Sequence, residues 1–346
     1  PYTTLFRSVG SIARGAGMDT SVSGLTQKVV SLEQAAIRTT TSGLMAPEGG
    51  GRAATGEDVK STLDAIRKAG DETATSYDRM GLALEKFVTK SAKLGMGKEI
   101  LGDMGKIANA AGVDIADLAD AAGGLAANMP EGSGKEQLLG MLRLLAKQGA
   151  MGAVEMKDMA THLPKIASSA GMITTAGGRT YEQNVGALGA IAQESMKGGS
   201  AQPGEAIRSA QAFVGDLMKP STQKYLAQEG INVWADKGKT KLHTPEDIIT
   251  AVYAKTNGDQ ARISKLFRNI ISARAVRGFN QTYQEAGGGR AGLQAIRDRF
   301  REFGTPLSAE EVASNASLME GSKAGKAQRL QNRFETAWAG ALDKLV

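Results

Sequence analysis

The stretch LLGMLRLL, residues 138–145, carries apolar side chains around almost the whole circumference of a helix. A surface helix keeps one polar face, whereas a helix that is apolar on nearly all sides must be enclosed by other elements. The stretch therefore predicts a buried helix, and the most buried one of the chain.

Helical spacing of apolar residues continues outward from this stretch in both directions, with glycines between short helices. Residues 57–94 predict one long helix, ended by the glycines of residues 95–97. A sharper pattern lies further along the chain. The clearest amphipathic stripe consists of Ile263, Leu266, Phe267, Ile270 and Ile271.

One short region departs from helical spacing. Residues 231–234 alternate with a period of two, residues 236–239 have the composition of a turn, and residues 240–243 can return as a strand. Thr244 and Pro245 then predict the capped start of a helix. The predicted fold is all-α: an array of short, Gly-punctuated helices, with one long N-terminal helix and at most one small β-hairpin near residues 231–243.

Composition limits the possible functions. The chain has 346 residues, of which 41% are hydrophobic, so it can bury a real core. It has no Cys and only two His, which excludes a disulfide scaffold and a thiol nucleophile and disfavours a multi-His metal site. No stretch approaches the roughly 20 apolar residues that a membrane span needs.

Segment boundaries follow the glycine-rich breaks. Residues 1–8 match the in-frame translation of a widely used sequencing adapter, and we expect them to be an artefact. We expect an N-terminal helical segment over residues 9–94, a core helical domain over residues 95–286, and a C-terminal helical segment over residues 287–346, which stops within an amphipathic pattern and is expected to be truncated.

Two glycine-rich segments invite a functional interpretation. The run Gly132-Ser133-Gly134-Lys135 resembles a phosphate-binding loop, but that motif would require Gly at the position of Met129 and Ser or Thr at that of Glu136. We therefore predict an interhelical loop there. The glycines of residues 287–289 predict a hinge.

Isolated polar residues predict no reaction centre. His162 and His243 lie far apart in the sequence and neither has a second His near it, so we expect both to pack or to face solvent. Asp114, Asp117 and Asp120 repeat every three residues, which is more typical of a cap and a solvated helix face than of a cation site. We predict no catalytic, cofactor-binding or metal residues, no cofactor, and no enzymatic activity.

Charge is unevenly distributed. Residues 262–301 contain nine Lys or Arg against Glu285 and Asp298, a net charge of +7 compared with +6 for the whole chain. Such a segment can bind phosphate backbones or an acidic partner. It lacks interleaved aromatic residues, so we expect no specific nucleic-acid recognition. A solvated polar face is the simpler interpretation.

Four features in order resemble the conserved core region of phage tail tape measure proteins. They are the run AGVDIADLA at residues 111–119, the Leu/Ala-rich helix pair that ends at Gly171, the segment of residues 229–249 with its Asp-Lys-Gly turn, and the Asn-Gly-Asp break at residues 257–259 that leads into residues 263–275. The resemblance covers roughly residues 97–279. Its third element is the most distinctive.

The resemblance implies a structural role. Tape measure proteins lie in the lumen of the phage tail, set tail length during assembly in the host cytoplasm, and leave ahead of the DNA at infection. The implied partners are the tail tube protein, tail assembly chaperones and other copies of the protein, with possible contact to the host envelope. This chain is short for that family, and we expect it to be one portion of a longer protein.

Other function classes stay open at this point. They are a basic, helical protein associated with nucleic acid, a membrane-active helical protein, and a non-catalytic segment of a tail-associated cell-wall hydrolase. Salt-dependent retention of DNA would favour the first and leakage of liposomes the second. Loss of a hydrolytic activity on changing one carboxylate would favour an enzyme.

Deletion of residues 1–8 tests the adapter interpretation. We expect the free energy of unfolding to change by less than about 0.5 kcal/mol, the usual scale for a change away from any structural feature. Thermal or urea denaturation measures this difference. A loss of several kcal/mol would instead show that the segment belongs to the folded protein.

Overall fold

The computed structural model describes residues 21–344, apart from six side chains within residues 157–165. Residues 1–8, which we interpret as adapter-derived, lie outside the described residues. The described chain is helical almost throughout, which confirms the all-α fold class.

The α-helices, numbered in chain order, are α1 (Val22–Met45), α2 (Gly56–Thr73), α3 (Tyr77–Ser91), α4 (Leu94–Ala111), α5 (Ile115–Asn128), α6 (Lys135–Met151), α7 (Met156–Ala170), α8 (Tyr181–Ser195), α9 (Pro203–Leu217), α10 (Pro220–Gln228), α11 (Pro245–Thr256), α12 (Gln260–Leu266), α13 (Ile270–Arg277), α14 (Asn280–Glu285), α15 (Gly289–Gly304), α16 (Ala309–Gly321) and α17 (Lys323–Leu342). Short 3₁₀ turns occur at Pro47–Gly49 and Ala176–Gly178.

Packing divides the chain into two compact units. Unit 1 contains the described residues up to Gly123 together with those from Ala309 onward, and unit 2 contains residues 124–308. These bounds differ from the expected segments, because α16 packs on α4 and α17 packs on α1 and α2, which are remote in sequence. Glycine-rich breaks mark helix ends, whereas the contacts across the chain define the units.

Residues 57–94 do not form the single helix that their spacing predicts. Ala74 has a left-handed backbone (φ 53°) and ends α2, and Ser76 then caps α3 by accepting a hydrogen bond from the Arg79 amide. The residues at 95–97 lie in the first turn of α4 and do not end a helix. The longest N-terminal helix is α1, with 24 residues.

Unit 1 is closed by contacts between its first and last helices. The Lys28 ammonium on α1 lies 3.1 Å from the Glu335 carboxylate on α17. Nearby, the Trp338 indole donates to the Thr26 hydroxyl at 3.0 Å. The Tyr77 hydroxyl of α3 lies 2.9 Å from the Thr336 hydroxyl. Helix α17 therefore contacts both α1 and α3.

Helix α8 forms the centre of unit 2. It packs against α6, α7, α9, α11, α13 and α15, and 13 of its 15 residues are buried. Residues 138–145 in α6 are largely buried as predicted, but α8 is buried more completely. Its composition explains this difference, since Gly and Ala dominate residues 186–192 and allow neighbouring helices to approach.

The amphipathic stripe is divided by a helix break. Ile263, Leu266 and Phe267 are buried, whereas Ile270 is 61% exposed and Ile271 is 38% exposed. The reason is that α12 ends at Leu266 and a new helix begins at Ile270, so the helical phase is lost between them. The second half of the stripe therefore does not line the core.

The predicted hairpin region forms isolated bridges, without a strand among the described residues. Trp234 pairs with Leu242 in the antiparallel sense, and Leu242 also pairs with Ile173 in the parallel sense. Three segments therefore meet at Leu242, whose side chain is buried. The sequence indicates the turn but gives no sign of Ile173.

Replacing Ile263 and Ile270 in turn tests this division, because both changes remove the same atoms. Ile263→Ala should lower the free energy of unfolding by about 2–5 kcal/mol through lost burial and a residual cavity. Ile270→Ala should change it by about 0.5 kcal/mol or less. Urea denaturation of both variants measures the contrast, and equal losses would contradict the helix break.

Candidate functional site

The basic segment of residues 262–301 is the strongest candidate site in the sequence, and the fold distributes it over α12 to α15. Several of its cations face carboxylates on other elements. Arg262 lies 2.8 Å from Glu229, and Arg274 lies 3.3 Å from Glu205. Much of the positive charge that the sequence concentrates here is therefore neutralised within unit 2.

Arg299 makes the most buried of these pairs. Its Nε lies 2.7 Å from Oε1 of Glu194, a side chain that is only 1% exposed at the end of α8. Glu302 lies 2.6 Å from the same guanidinium, and Lys197 lies 3.1 Å from Oε2 of Glu194. Burial opposes the Arg299 charge, but the hydrogen bonds with Glu194 and Glu302 outweigh it and raise the Arg299 pKa.

Backbone packing places Glu194 at this position. Gly198 lies against the carbonyl of Arg274, where a Cβ would come within 2.2 Å of the oxygen. Gly278 lies equally close to the carbonyl of Glu194, at 2.3 Å. Only glycine permits this approach, so the end of α8 and the end of α13 meet backbone to backbone beside the ion pair.

A second charge group lies where α11 begins. Burial raises the Glu246 pKa, and the nearby Arg179 acts in the opposite direction. The charges of Arg297 and Arg301 also favour the ionised Glu246. Arg301 in addition lies 2.7 Å from Asp298. Arg301 therefore pairs with a carboxylate of its own helix, and the charge of Arg297 acts on Glu246.

The remaining cations of the segment are more open. Arg268 lies over the ring of Tyr225, with its guanidinium carbon 4.4 Å from the ring centre. Lys265 and Arg290 are exposed. Arg277 donates to the Ser264 hydroxyl. The basic segment thus forms several small clusters on different helices instead of one continuous positive face.

The three aspartates of α5 pair one by one with cations of α3. Arg79 lies 2.6 Å from Asp114, and Lys86 lies 3.3 Å from Asp117. The third pair joins Lys90 to Asp120 at 2.6 Å. Asp114 also caps α5 by accepting from the Ala116 amide at 2.8 Å. The structure gives these carboxylates partners within unit 1, which favours the cap and surface-face interpretation.

The two histidines lie apart. His162 is half-buried in α7 near the first turn of α9, since a Cβ on Gly204 would lie 3.4 Å from its Nε2. His243 is half-buried after the bridge at Leu242, and its amide donates to the Val233 carbonyl. Within residues 21–344, no three His, Cys, Asp or Glu side chains converge as metal ligands would.

The glycine-rich segments serve as turns. The Ser133 amide donates to the Pro130 carbonyl, and the Gly134 amide donates to the Gln137 side chain at the start of α6. At the predicted hinge, the Gly288 amide donates to the Tyr283 carbonyl, and the Gly289 amide donates to the Tyr283 hydroxyl. Gly288 and Gly289 are thus both hydrogen-bonded to one buried aromatic residue, Tyr283.

Two buried glutamines connect helices by hydrogen bonds that the sequence does not predict. Gln148 donates to the carbonyls of Gly186 and Phe303, both at 2.8 Å. Gln193 donates to the Gln148 and Val154 carbonyls and accepts from the Val154 amide. They join α6, α8 and α15 by hydrogen bonds to backbone groups. A Gln within an apolar helical face is the only signal that the sequence offers.

The turn at residues 236–241 is held by a single carboxylate. Asp236 accepts from the Thr240 amide and hydroxyl and, at 2.7 Å, from the Lys241 amide. These hydrogen bonds lower the Asp236 pKa, with the bond from Lys241 contributing most. The Lys241 ammonium reaches the Gly171 carbonyl at 2.5 Å. Asp236 thus acts in folding the turn.

The chain matches no protein-family model, and no curated protein and no solved structure is similar enough to it to indicate a relationship. Among residues 21–344, no helix combines the length and the apolar character that crossing a bilayer requires.

Removing Glu194 and Asp117 separately tests the two kinds of ion pair. Glu194→Ala should lower the free energy of unfolding by about 3 kcal/mol, because the partly buried Arg299 loses its closest buried partner. Asp117→Ala should cost about 0–1 kcal/mol, because its pair with Lys86 is exposed to solvent. Denaturation of both variants at low and moderate salt gives the comparison. Similar losses would contradict the assignment of Glu194 to the core.

Proposed function

We propose that this chain is a segment of a phage tail tape measure protein and has a structural role in tail assembly. In this role the complete protein sets tail length and leaves ahead of the DNA at infection. Its partners would be the tail tube protein, the tail assembly chaperones and other copies of itself. It would act in the host cytoplasm during assembly and then in the tail lumen of the virion.

The observation that carries the proposal is that three of the four elements of the resemblance contact one another in unit 2. The second element ends at Gly171, whose carbonyl accepts a hydrogen bond from the Lys241 ammonium of the third element. The third and fourth elements are joined by the ion pair between Glu229 and Arg262. Segments that are distant in sequence thus form one packed module, as expected if they were retained together.

The polar residues of these elements support a structural role, because their side chains stabilise helix ends and a turn. Asp114 caps α5 and Asp236 holds the turn before α11. Thr244 caps α11 by accepting from the Asp247 amide, and Asp259 caps α12 by accepting from the Ala261 amide. Each of these side chains satisfies backbone groups that would otherwise lack partners.

Tail length in the phage that carries this reading frame tests whether the protein sets tail length, which is called here the ruler role. In-frame deletions in a helical rod of the full-length protein, outside residues 97–279, should shorten tails by about 1.5 Å for each residue removed. Electron microscopy of assembled tails measures this slope. Unchanged tail length after such deletions would refute the ruler role.

Substitutions within the chain separate an effect on the number of assembled tails from an effect on tail length. Ile263→Ala should reduce the number of assembled tails but leave the length of those that form unchanged, because it weakens the module and removes no length. Leu318→Ala is the matched control and should leave tail number unchanged, since Leu318 is 74% exposed. Shortened tails in the Ile263→Ala phage would contradict this division of roles.

A further inference from the structure

Three exposed apolar side chains belong to two chain segments of unit 2 that contact each other. Met218 follows α9 and is 40% exposed, and Ile270 and Ile271 open α13 with exposures of 61% and 38%. A hydrogen bond of 2.6 Å from the Ser272 hydroxyl to the buried Asp216 carboxylate joins these two chain segments. It therefore brings Asp216, two residues before Met218, into contact with Ser272, which directly follows Ile271.

A second contact holds the same two segments together further along the chain. The Arg268 guanidinium lies over the Tyr225 ring of α10. Residues 216–225 and 268–272 are thus held side by side by one contact on each flank of the apolar side chains. The exposed apolar residues lie between two fixed points, so their arrangement is set by the fold.

The surroundings of these side chains are positive. Residues 217–228 and 260–284 contain no Asp or Glu. Four of their seven cations are engaged: Lys219 pairs with Asp216, Arg262 with Glu229 and Arg274 with Glu205, and Arg277 donates to Ser264.

The other three cations, Lys224, Lys265 and Arg268, are exposed. No carboxylate within residues 21–344 forms an ion pair with them. They are close in the chain to the ties just described, because Lys224 precedes Tyr225 and Lys265 lies three residues before Arg268. The two segments that carry the exposed apolar side chains therefore also carry three cations without a carboxylate partner among the described residues, named here the rim cations.

We infer that Met218, Lys224, Lys265, Arg268, Ile270 and Ile271, named here the Ile270 surface, bind an acidic protein segment that carries apolar side chains. Ile270 and its neighbours gain free energy when a partner covers them, and the rim cations pair with carboxylates and set the orientation. The Arg268 guanidinium lies over the Tyr225 ring, 4.4 Å from its centre, and a guanidinium can bind a carboxylate through two of its nitrogens.

The chemistry of the surface favours a protein segment over the other anionic partners. Contacts to nucleic acid go mainly to phosphates, which offer Ile270 and Ile271 no apolar partner. Binding along a membrane surface uses a helix with a broad apolar face. Here α10 and α13 are short, at nine and eight residues, and each buries another face in unit 2.

Fluorescence anisotropy with a synthetic probe tests the inference on the full chain. The probe is a labelled, amphipathic peptide of Glu and Leu with the Leu residues at helical spacing. One control peptide replaces every Glu by Gln, and a second replaces every Leu by Ser. We expect the Glu/Leu peptide to bind, with weaker binding at high salt, and each control to bind about tenfold more weakly.

Variants of the chain locate the binding site. Ile270→Ser and Arg268→Glu should each weaken binding of the Glu/Leu peptide by about tenfold. Leu318→Ser is the matched apolar control, since Leu318 is exposed on α16 of unit 1. Arg290→Glu is the matched charge control, because Arg290 belongs to the same basic segment but lies on α15. Both controls should bind within about twofold of the unmodified chain.

Several outcomes would overturn the inference. Equal losses in Arg268→Glu and Arg290→Glu would show that net charge, not this surface, causes binding. An unchanged affinity in Ile270→Ser would remove the apolar contribution. Binding to phosphatidylglycerol vesicles or to a DNA duplex that depends on Ile270 and Arg268, without binding to the Glu/Leu peptide, would assign the surface to those ligands instead. The inference is independent of the tape measure proposal, because it makes no use of tail length or tail assembly.

Discussion

The enclosure of α8 on every side is the constraint on which unit 2 depends. A helix with six neighbours must present small side chains to several of them, and its polar groups must find partners inside the protein. The glycines and alanines of residues 186–192 meet the first demand. Gln193 and Glu194 meet the second through the Val154 backbone and the Arg299 guanidinium. Because α15 supplies Arg299, a helix distant in sequence contributes to the hydrogen bonding of α8.

Charge in this chain acts mainly within the molecule. The basic segment that stands out in the sequence is divided among separate helices, and Arg262, Arg274 and Arg299 each face a carboxylate contributed by another element. The three aspartates of α5 are matched in the same manner by α3. A run of like charges in sequence therefore need not form a charged face, because its members lie on separate short helices with different neighbours.

Sequence patterns predicted the helical class, the buried stretch at residues 138–145 and the turn before α11, because these depend on local periodicity and capping. They did not predict the break at Ala74, since the residues on both sides keep helical spacing and only a left-handed residue followed by a capping Ser marks the end. The exposure of Ile270 was missed for the same reason. Gln148 and the Ile173–Leu242 bridge require knowledge of distant partners, which a single periodicity does not contain.

The return of α16 and α17 to unit 1 has a consequence for synthesis on the ribosome. Residues 124–308 form a complete unit from contiguous chain and can fold as soon as they emerge. Unit 1 must wait, because Glu335 and Trp338 contact Lys28 and Thr26 across about three hundred residues of chain. During this interval the surfaces of α1 and α3 that later receive α17 stay open, so the N-terminal helices are the part of the nascent chain that depends most on protection from other molecules.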